Sequence, residues 1–250
     1  MASLTWLDDA APFPHPDSAP PEGLLAAGGR LSVARLTEAY SQGIFPWFNE
    51  GDPILWWSPD PRMILACADF KASHSLKKKL RQVARAEQDP TARIRITTDT
   101  AFSEVIAACA AVRGGRHATW ISPAIQTAYT AWHKAGAAHS IETWIDGRLA
   151  GGLYGVCLGR FFFGESMFSL ASDASKLALA YLVNFLLARG IRHVDCQQQT
   201  SHLASLGAQP MSRREFLALL DAALDRDAPV WTPGRILASG QLAPLEEMTP

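Results

Sequence analysis

In the stretch Ile191-Arg-His-Val-Asp-Cys-Gln197 a carboxylate and a carboxamide stand two residues apart. On a strand they share a face, because successive side chains alternate, and Cys196 faces the other way. An amide donates through its NH2 and accepts through its oxygen, so Gln197 can hold a carbonyl and an amine together. Asp195 can orient that amide or take a proton; it can equally cap or pair locally, as Asp does elsewhere. In Arg160-Phe-Phe-Phe-Gly-Glu-Ser-Met-Phe168 a single carboxylate, Glu165, sits among apolar neighbours. An unpaired buried charge is costly, so Glu165 wants a cation, from Arg160 or Lys176 within the chain or from a ligand. His193 shares the strand face of Asp195, but further ligands at suggestive spacing are missing and no metal is expected.

The chain has no G-x-x-x-x-G-K-[ST] loop, no G-x-G-x-x-G following a strand and no G-x-S-x-G elbow. Nucleotide hydrolysis, dinucleotide redox chemistry and serine hydrolase chemistry therefore lack their signatures. Residues 43–62 hold three Trp, two Phe and four Pro, with neither helical nor strand periodicity, which reads as an aromatic loop.

These residues need elements to hold them. Ser32 caps a short helix that Gly43 ends, after a Pro- and Gly-rich run over 11–29. Residues 1–66 thus read as a small loop-rich module without a core of its own, expected to pack on the remainder of the chain. From Ala66 onward the pattern becomes regular, and residues 67–250 read as a second domain. RIRIT (93–97) predicts a strand; 99–112 and 122–136 predict helices, the second with Ser122 as N-cap and Pro123 at its first position. AHSIETWI, RLAGGLYGVCL and RFFFGES form a meander turning at Asp146-Gly147 and Gly159. Next come a helix over 173–189, the strand 191–196 and a helix opened by a Ser212/Glu215 capping box, and residues 227–250 read as an irregular tail. The order predicts an α+β fold, helices covering a mostly antiparallel sheet. It is also the order of the acyl-CoA N-acetyltransferase core, an analogy of fold. An acetyl-CoA enzyme would carry a Gly-containing pyrophosphate loop before the helix after the meander, where this chain reads SLASDASK.

At 250 residues and 48% apolar content the chain can bury a sizeable core. Cys67, Cys109, Cys157 and Cys196 are widely spaced, against a disulfide framework or a zinc site. No apolar run is long enough to span a bilayer, and the N-terminus lacks the pattern of an export signal, so a cytoplasmic protein is expected. Net charge is −1, yet residues 1–60 carry two basic and eight acidic side chains, and residues 71–95 eight basic and two acidic. A polyanion can sit on the second region; a solvated helix face would look the same.

GLLAAGG, QGIFPWF, ILWWSPDPR, TWI, AHSIE, GGLYGV, FFGESMFS, DASK, DCQ and HLASLGA, in that order from about Phe13 to Leu224, resemble the bacterial leucyl/phenylalanyl-tRNA protein transferases. The resemblance implies an aminoacyltransferase with a small N-terminal domain and an acetyltransferase-like second domain. It implies transfer of Leu or Phe, and less well Met, from aminoacyl-tRNA to the N-terminal Arg or Lys of a protein, creating an N-degron. No cofactor is needed, because the aminoacyl ester is already activated. A monomer without membrane attachment is expected. Two other readings stay open: an acyl-CoA-dependent N-acetyltransferase, and a non-catalytic binder of tRNA 3′ ends.

By resemblance, Trp47 and Trp120 flank the terminal adenosine, as aromatic faces hold unstacked bases generally. Trp56 and Trp57 are expected to pack between the domains. The amino-acid pocket maps onto Leu153, Phe162 and Leu182; Leu153 and Leu182 stand where other members can have Met and Phe. The catalytic set is Asp195 and Gln197 beside the ester and Glu165 near the acceptor's N-terminus. Lys77, Lys78, Lys79, Arg81 and Arg85 become candidates for acceptor-stem phosphates.

Overall fold

The computed structural model describes residues 4–89, 91–113 and 120–245, the side chains of residues 112 and 113 excepted. Residues 5–57 build a small sheet: β1 (Thr5–Leu7), β2 (Leu24–Gly28), β3 (Phe45–Pro46) and β4 (Leu55–Trp57), in the order β1-β2-β4-β3. Helix α1 (Val33–Ser41) is capped by Ser32, whose hydroxyl accepts from Arg35 N, and it turns Leu36, Ala39 and Tyr40 inward. The aromatic run is therefore partly strand. Its two- and three-residue strands are too short for an alternation to register, and their partners fix them instead.

The large sheet is assembled from both ends of the sequence. It takes β5 (Arg62–Ala66), and then, after α2 (His74–Ala86), β6 (Ile94–Thr98). Helices α3 (Phe102–Arg113) and α4 (Pro123–Lys134) precede the meander β7 (Ala138–Ile145), β8 (Arg148–Leu158) and β9 (Phe161–Ser169). Then come α5 (Ala174–Ala188), β10 (His193–Gln197), α6 (Ser201–Ser205), β11 (Gln209–Met211), α7 (Arg213–Leu224), β12 (Gly234–Ile236) and β13 (Leu242–Ala243). The nine strands run β11-β5-β10-β9-β8-β7-β6-β12-β13. Every neighbouring pair is antiparallel except β9 and β10, which α5 connects. A mixed α+β fold with a mostly antiparallel sheet is what the element order predicts.

Two differences from the sequence reading have clear causes. Residues 62–66, at the end of the expected N-terminal module, already pair with β10 and β11 of the large sheet. The expected irregular tail instead contributes β12, paired with β6, and β13. Its strands are three and two residues long and owe their form to that sheet edge, not to a local pattern.

Both faces of the sheet are covered by apolar packing. On one, α5 is apolar around its circumference and lies over β7, β8 and β9, with α2 beside it. On the other, α3 and α4 pack with Tyr154, Phe161 and Phe163, and the small sheet joins the same core through Leu25, Ala26 and Trp56. Polar fastenings hold that join: the buried Arg213 guanidinium donates to the carbonyls of Pro16, Ala19 and Pro20. Among the described residues no helix is long and apolar enough to cross a membrane.

Candidate active site

Strands β9 and β10 are in register only at Phe162 with Val194 and Phe163 with Asp195. Beyond those pairs they part, and a cavity of about 330 Å³ opens between Gly164-Glu165-Ser166-Met167 on one side and Cys196-Gln197-Gln198 on the other. Its apolar end is walled by Leu153 from β8, Phe162 from β9, and Leu179 and Leu182 from α5. Its mouth carries Trp47, next in the chain after β3, and Trp120, which precedes α4. The three expected pocket residues and the two expected adenosine-flanking tryptophans thus line one cavity.

The polar edge is less regular. Gln197 has φ +62°, and the pairing with β5 slips between Asp195 and Gln197. This bulge breaks the alternation that would put the two on one face: Cys196 and Gln197 line the cavity, whereas Asp195 is fully buried behind it. Asp195 accepts two hydrogen bonds from Arg62, Nε at 2.9 Å and Nη2 at 2.7 Å. Its Oδ1 also accepts from the backbone N–H of Gln197 at 2.7 Å, which holds the left-handed turn in place. A non-glycine residue in that conformation costs on the order of 1–3 kcal/mol, so it persists only where its surroundings impose it.

Arg62 is itself almost wholly buried. It donates to Gly43 O at 3.1 Å and lies against the rings of Phe45 and Phe216, tying the aromatic run, α7 and β10 together. In the sequence it is only the last residue of the ILWWSPDPR string, with nothing to mark a buried partner for Asp195.

Glu165 meets neither Arg160, which donates to Arg189 O, nor Lys176, which pairs with Asp173. Instead Gln197 Nε2 donates to its Oε1 at 3.1 Å, Tyr40 donates to the same oxygen at 2.7 Å, and Tyr129 to Oε2 at 3.4 Å. Burial pushes the Glu165 carboxyl up to about 8; the Tyr40 bond pulls it back, and the charge of Asp195 pushes it further up. The two tyrosine hydroxyls are bonded to each other, which takes one of their two protons and leaves one to donate to Glu165 at a time. Burial first, and then the charge of Glu165, hold both phenols well above their ordinary value, so they act as neutral donors. Neither tyrosine stands out in the sequence, where each reads as one more inward aromatic of an amphipathic helix. Tyr40 belongs to α1 and Tyr129 to α4, so the first part of the chain supplies a group to this cluster.

Two family models match the chain: one described as leucyl/phenylalanyl-tRNA protein transferase, over residues 64–221, and one as the N-terminal domain of that protein, over residues 29–60. Relatives named leucyl/phenylalanyl-tRNA–protein transferase from Bordetella petrii, Bordetella bronchiseptica and Bordetella avium are 59%, 58% and 57% identical to it. The alignments cover 96%, 97% and 96% of this chain and 96% of each relative. The chain belongs to the leucyl/phenylalanyl-tRNA protein transferase family. That assignment favours an aminoacyl transferase over the acetyl-CoA enzyme and the non-catalytic binder.

The remaining expected residues are spread more widely. Lys77, Lys78, Arg81 and Arg85 are exposed on α2. Arg81 Nε donates to Lys77 O within the helix, and Lys79 is tied across elements: its Nζ donates to Ser172 O at 2.7 Å and pairs with Asp173 at 3.7 Å, holding α2 to the start of α5. Trp57 donates to Trp47 O at 2.7 Å and meets its ring edge-on. Trp56 is buried against Phe13. Asp99, His133 and His139 converge closely enough to suggest a metal site. Yet Asp99 already bonds His139 Nδ1 and Ser140 N, and His133 Nδ1 bonds Ala138 O, a closed network that needs no ion.

Proposed function

We propose that this transferase moves Leu or Phe, and less well Met, from aminoacyl-tRNA to the α-amino group of an N-terminal Arg or Lys, so creating an N-degron. The observation that carries this reading is the convergence of the aromatic pair, the apolar end and the Gln197–Glu165 edge on one cavity. The terminal adenine lies between Trp47 and Trp120, and the amino-acid side chain points toward Leu153, Phe162 and Leu182. The ester carbon then faces the edge where β9 and β10 part. A shape made by Leu and Phe walls excludes a β-branched side chain, an advantage limited to about 1–3 kcal/mol per methylene.

Aminolysis needs an amine that has lost its proton and a carbonyl that tolerates negative charge. Gln197 meets the second need with its amide N–H and turns its oxygen to the attacking amine. Asp195, with both oxygens engaged by Arg62, fixes the Gln197 backbone and takes no proton. The ionised fraction of Glu165, a minority below about 8, takes the proton from the α-amine as the peptide bond forms and returns it to the ribose 3′ oxygen as the ester C–O bond breaks and the tRNA leaves. Tyr40 and Tyr129 hold its oxygens. Lys77, Lys78, Arg81 and Arg85 meet the acceptor-stem phosphates without reading sequence. The same reading assigns residues 1–66 as an N-terminal domain lending β5 to an acetyltransferase-like domain over 67–250. It also takes the chain as a cytoplasmic monomer.

Incubating the protein with a mixture of charged tRNAs and an Arg-starting peptide, with mass spectrometry of the products, tests the reading. Addition of Leu or Phe to the free peptide, and none to the N-acetylated peptide, is expected. Addition from free Leu and ATP without tRNA would refute it.

A further inference from the structure

The residue behind the amino-acid end of the cavity comes from the C-terminal tail, past residue 221 where the family model stops. Trp231 does not line the cavity, but its indole lies 5.8 Å from the ring of Phe162, which does, at an interplanar angle of 27°. It also meets Phe185 at 4.5 Å, one helical turn beyond the pocket residue Leu182. On β7 it lies flat against His139, 3.9 Å away and within 4° of parallel.

Several bonds keep this indole still. Its Nε1 donates to Thr98 Oγ1 at 2.7 Å. Downstream, Gly234 pairs with Thr98. Asn184 of α5 donates to Ala238 O, Arg189 donates to Gly240 O, and Ala238 N donates to Glu87. The tail is thus strapped over α5 and α2. On the Gly155 side, a β-carbon would stand 2.6 Å from two atoms of the Phe162 ring, so that ring lies directly over the glycine backbone. Phe162 is confined between a backbone it already touches and an indole that blocks its retreat.

We infer that Trp231 is a specificity-determining positioning residue: by bracing Phe162 it sets the depth of the amino-acid end and the balance between Leu and Phe. The inference rests on the function proposed above. With the indole gone, Phe162 can swing toward the vacated space and Phe185 can move with it, which lengthens the pocket and favours the larger, planar side chain. Nothing in this change touches the Gln197–Glu165 edge.

The test is a competition in which Leu-tRNA and Phe-tRNA together charge one Arg-starting peptide, the product ratio being read by mass spectrometry. That ratio does not depend on the fraction of enzyme that is folded. Trp231→Ala should raise Phe over Leu about tenfold relative to the parent, the scale on which a pocket distinguishes small differences in bulk. Trp231→Phe, which keeps a ring behind Phe162, should restore most of the parent ratio, and Trp231→Leu serves if the alanine variant does not fold. Equal loss of both products with an unchanged ratio would show a merely structural tail and overturn the inference. A parent protein that transfers neither amino acid would instead sink the proposed function, and this inference with it.

Discussion

The two ends of the cavity are built on different principles. Leu153, Phe162 and Leu182 ride on the interiors of a strand, a strand and a helix, where the regular pleat and the helical turn deliver them to one place. The polar end is built on exceptions: a bulge, a left-handed glutamine, a buried arginine and two tyrosines from separate helices. An apolar pocket needs only shape, which regular elements supply. A site that must hold charge and a strained backbone needs partners gathered from distant parts of the chain.

The largest effect should come from cutting the polar end's anchor. Arg62→Ala leaves Asp195 buried without its partner and should lower stability by about 3–5 kcal/mol, the usual outcome for half of a buried pair. Chemical denaturation measures it. A loss no larger than that of an exposed pair would show that Asp195 is satisfied without Arg62.

At the mouth, Trp47→Ala should weaken both charged tRNA and a minimal aminoacyl-adenosine by about 1–3 kcal/mol in apparent binding. Michaelis constants for the two donors, measured with the unfolding temperature on one preparation, separate stacking from support of Trp57. An unaltered constant for aminoacyl-adenosine with lower stability would assign Trp47 to packing.

The raised carboxyl of Glu165 makes a prediction about pH. Its ordinary value is 4.5 and its folded value about 8, so between these the folded state holds a proton that the unfolded state has lost. Stability contributed at this site therefore falls as pH rises through that window. Glu165→Gln cannot ionise, so the variant should gain on the parent from pH 5 to pH 8 in denaturation experiments. Parallel stability curves would place the Glu165 carboxyl at its ordinary value.

On α2 the expected effect is the smallest. Lys77→Ala with Lys78→Ala should flatten the salt dependence of charged-tRNA use by about 0.9 per lost phosphate contact, and leave aminoacyl-adenosine unaffected. An unchanged slope would return α2 to the status of a solvated face.

Legibility in the sequence divides along the same line. The meander, α5, and α7 with its capping box come from periodicity and caps, and the structure has them, whereas Leu153, Phe162 and Leu182 are reached through the family resemblance alone. A shared face for Asp195 and Gln197 rests on the period of two, and the bulge defeats it; a register slip has no local signature in a five-residue strand. Tyr40, Tyr129 and Arg62 carry no local mark because their meaning lies in partners 36 to 133 positions away. Trp231 is equally inconspicuous, in a tail whose strands exist only through β6.

The central claim is that Gln197 acts on the ester while the rest of the cavity binds it. Single-turnover transfer of Leu from Leu-tRNA to an Arg-starting peptide by Gln197→Ala, with affinity for Leu-tRNA measured on the same sample, tests it most directly. A rate lower by ~10²–10³-fold with unchanged affinity is the predicted result, as for loss of one donor to a developing oxyanion. A near-parental rate, or a loss confined to affinity, would contradict the account.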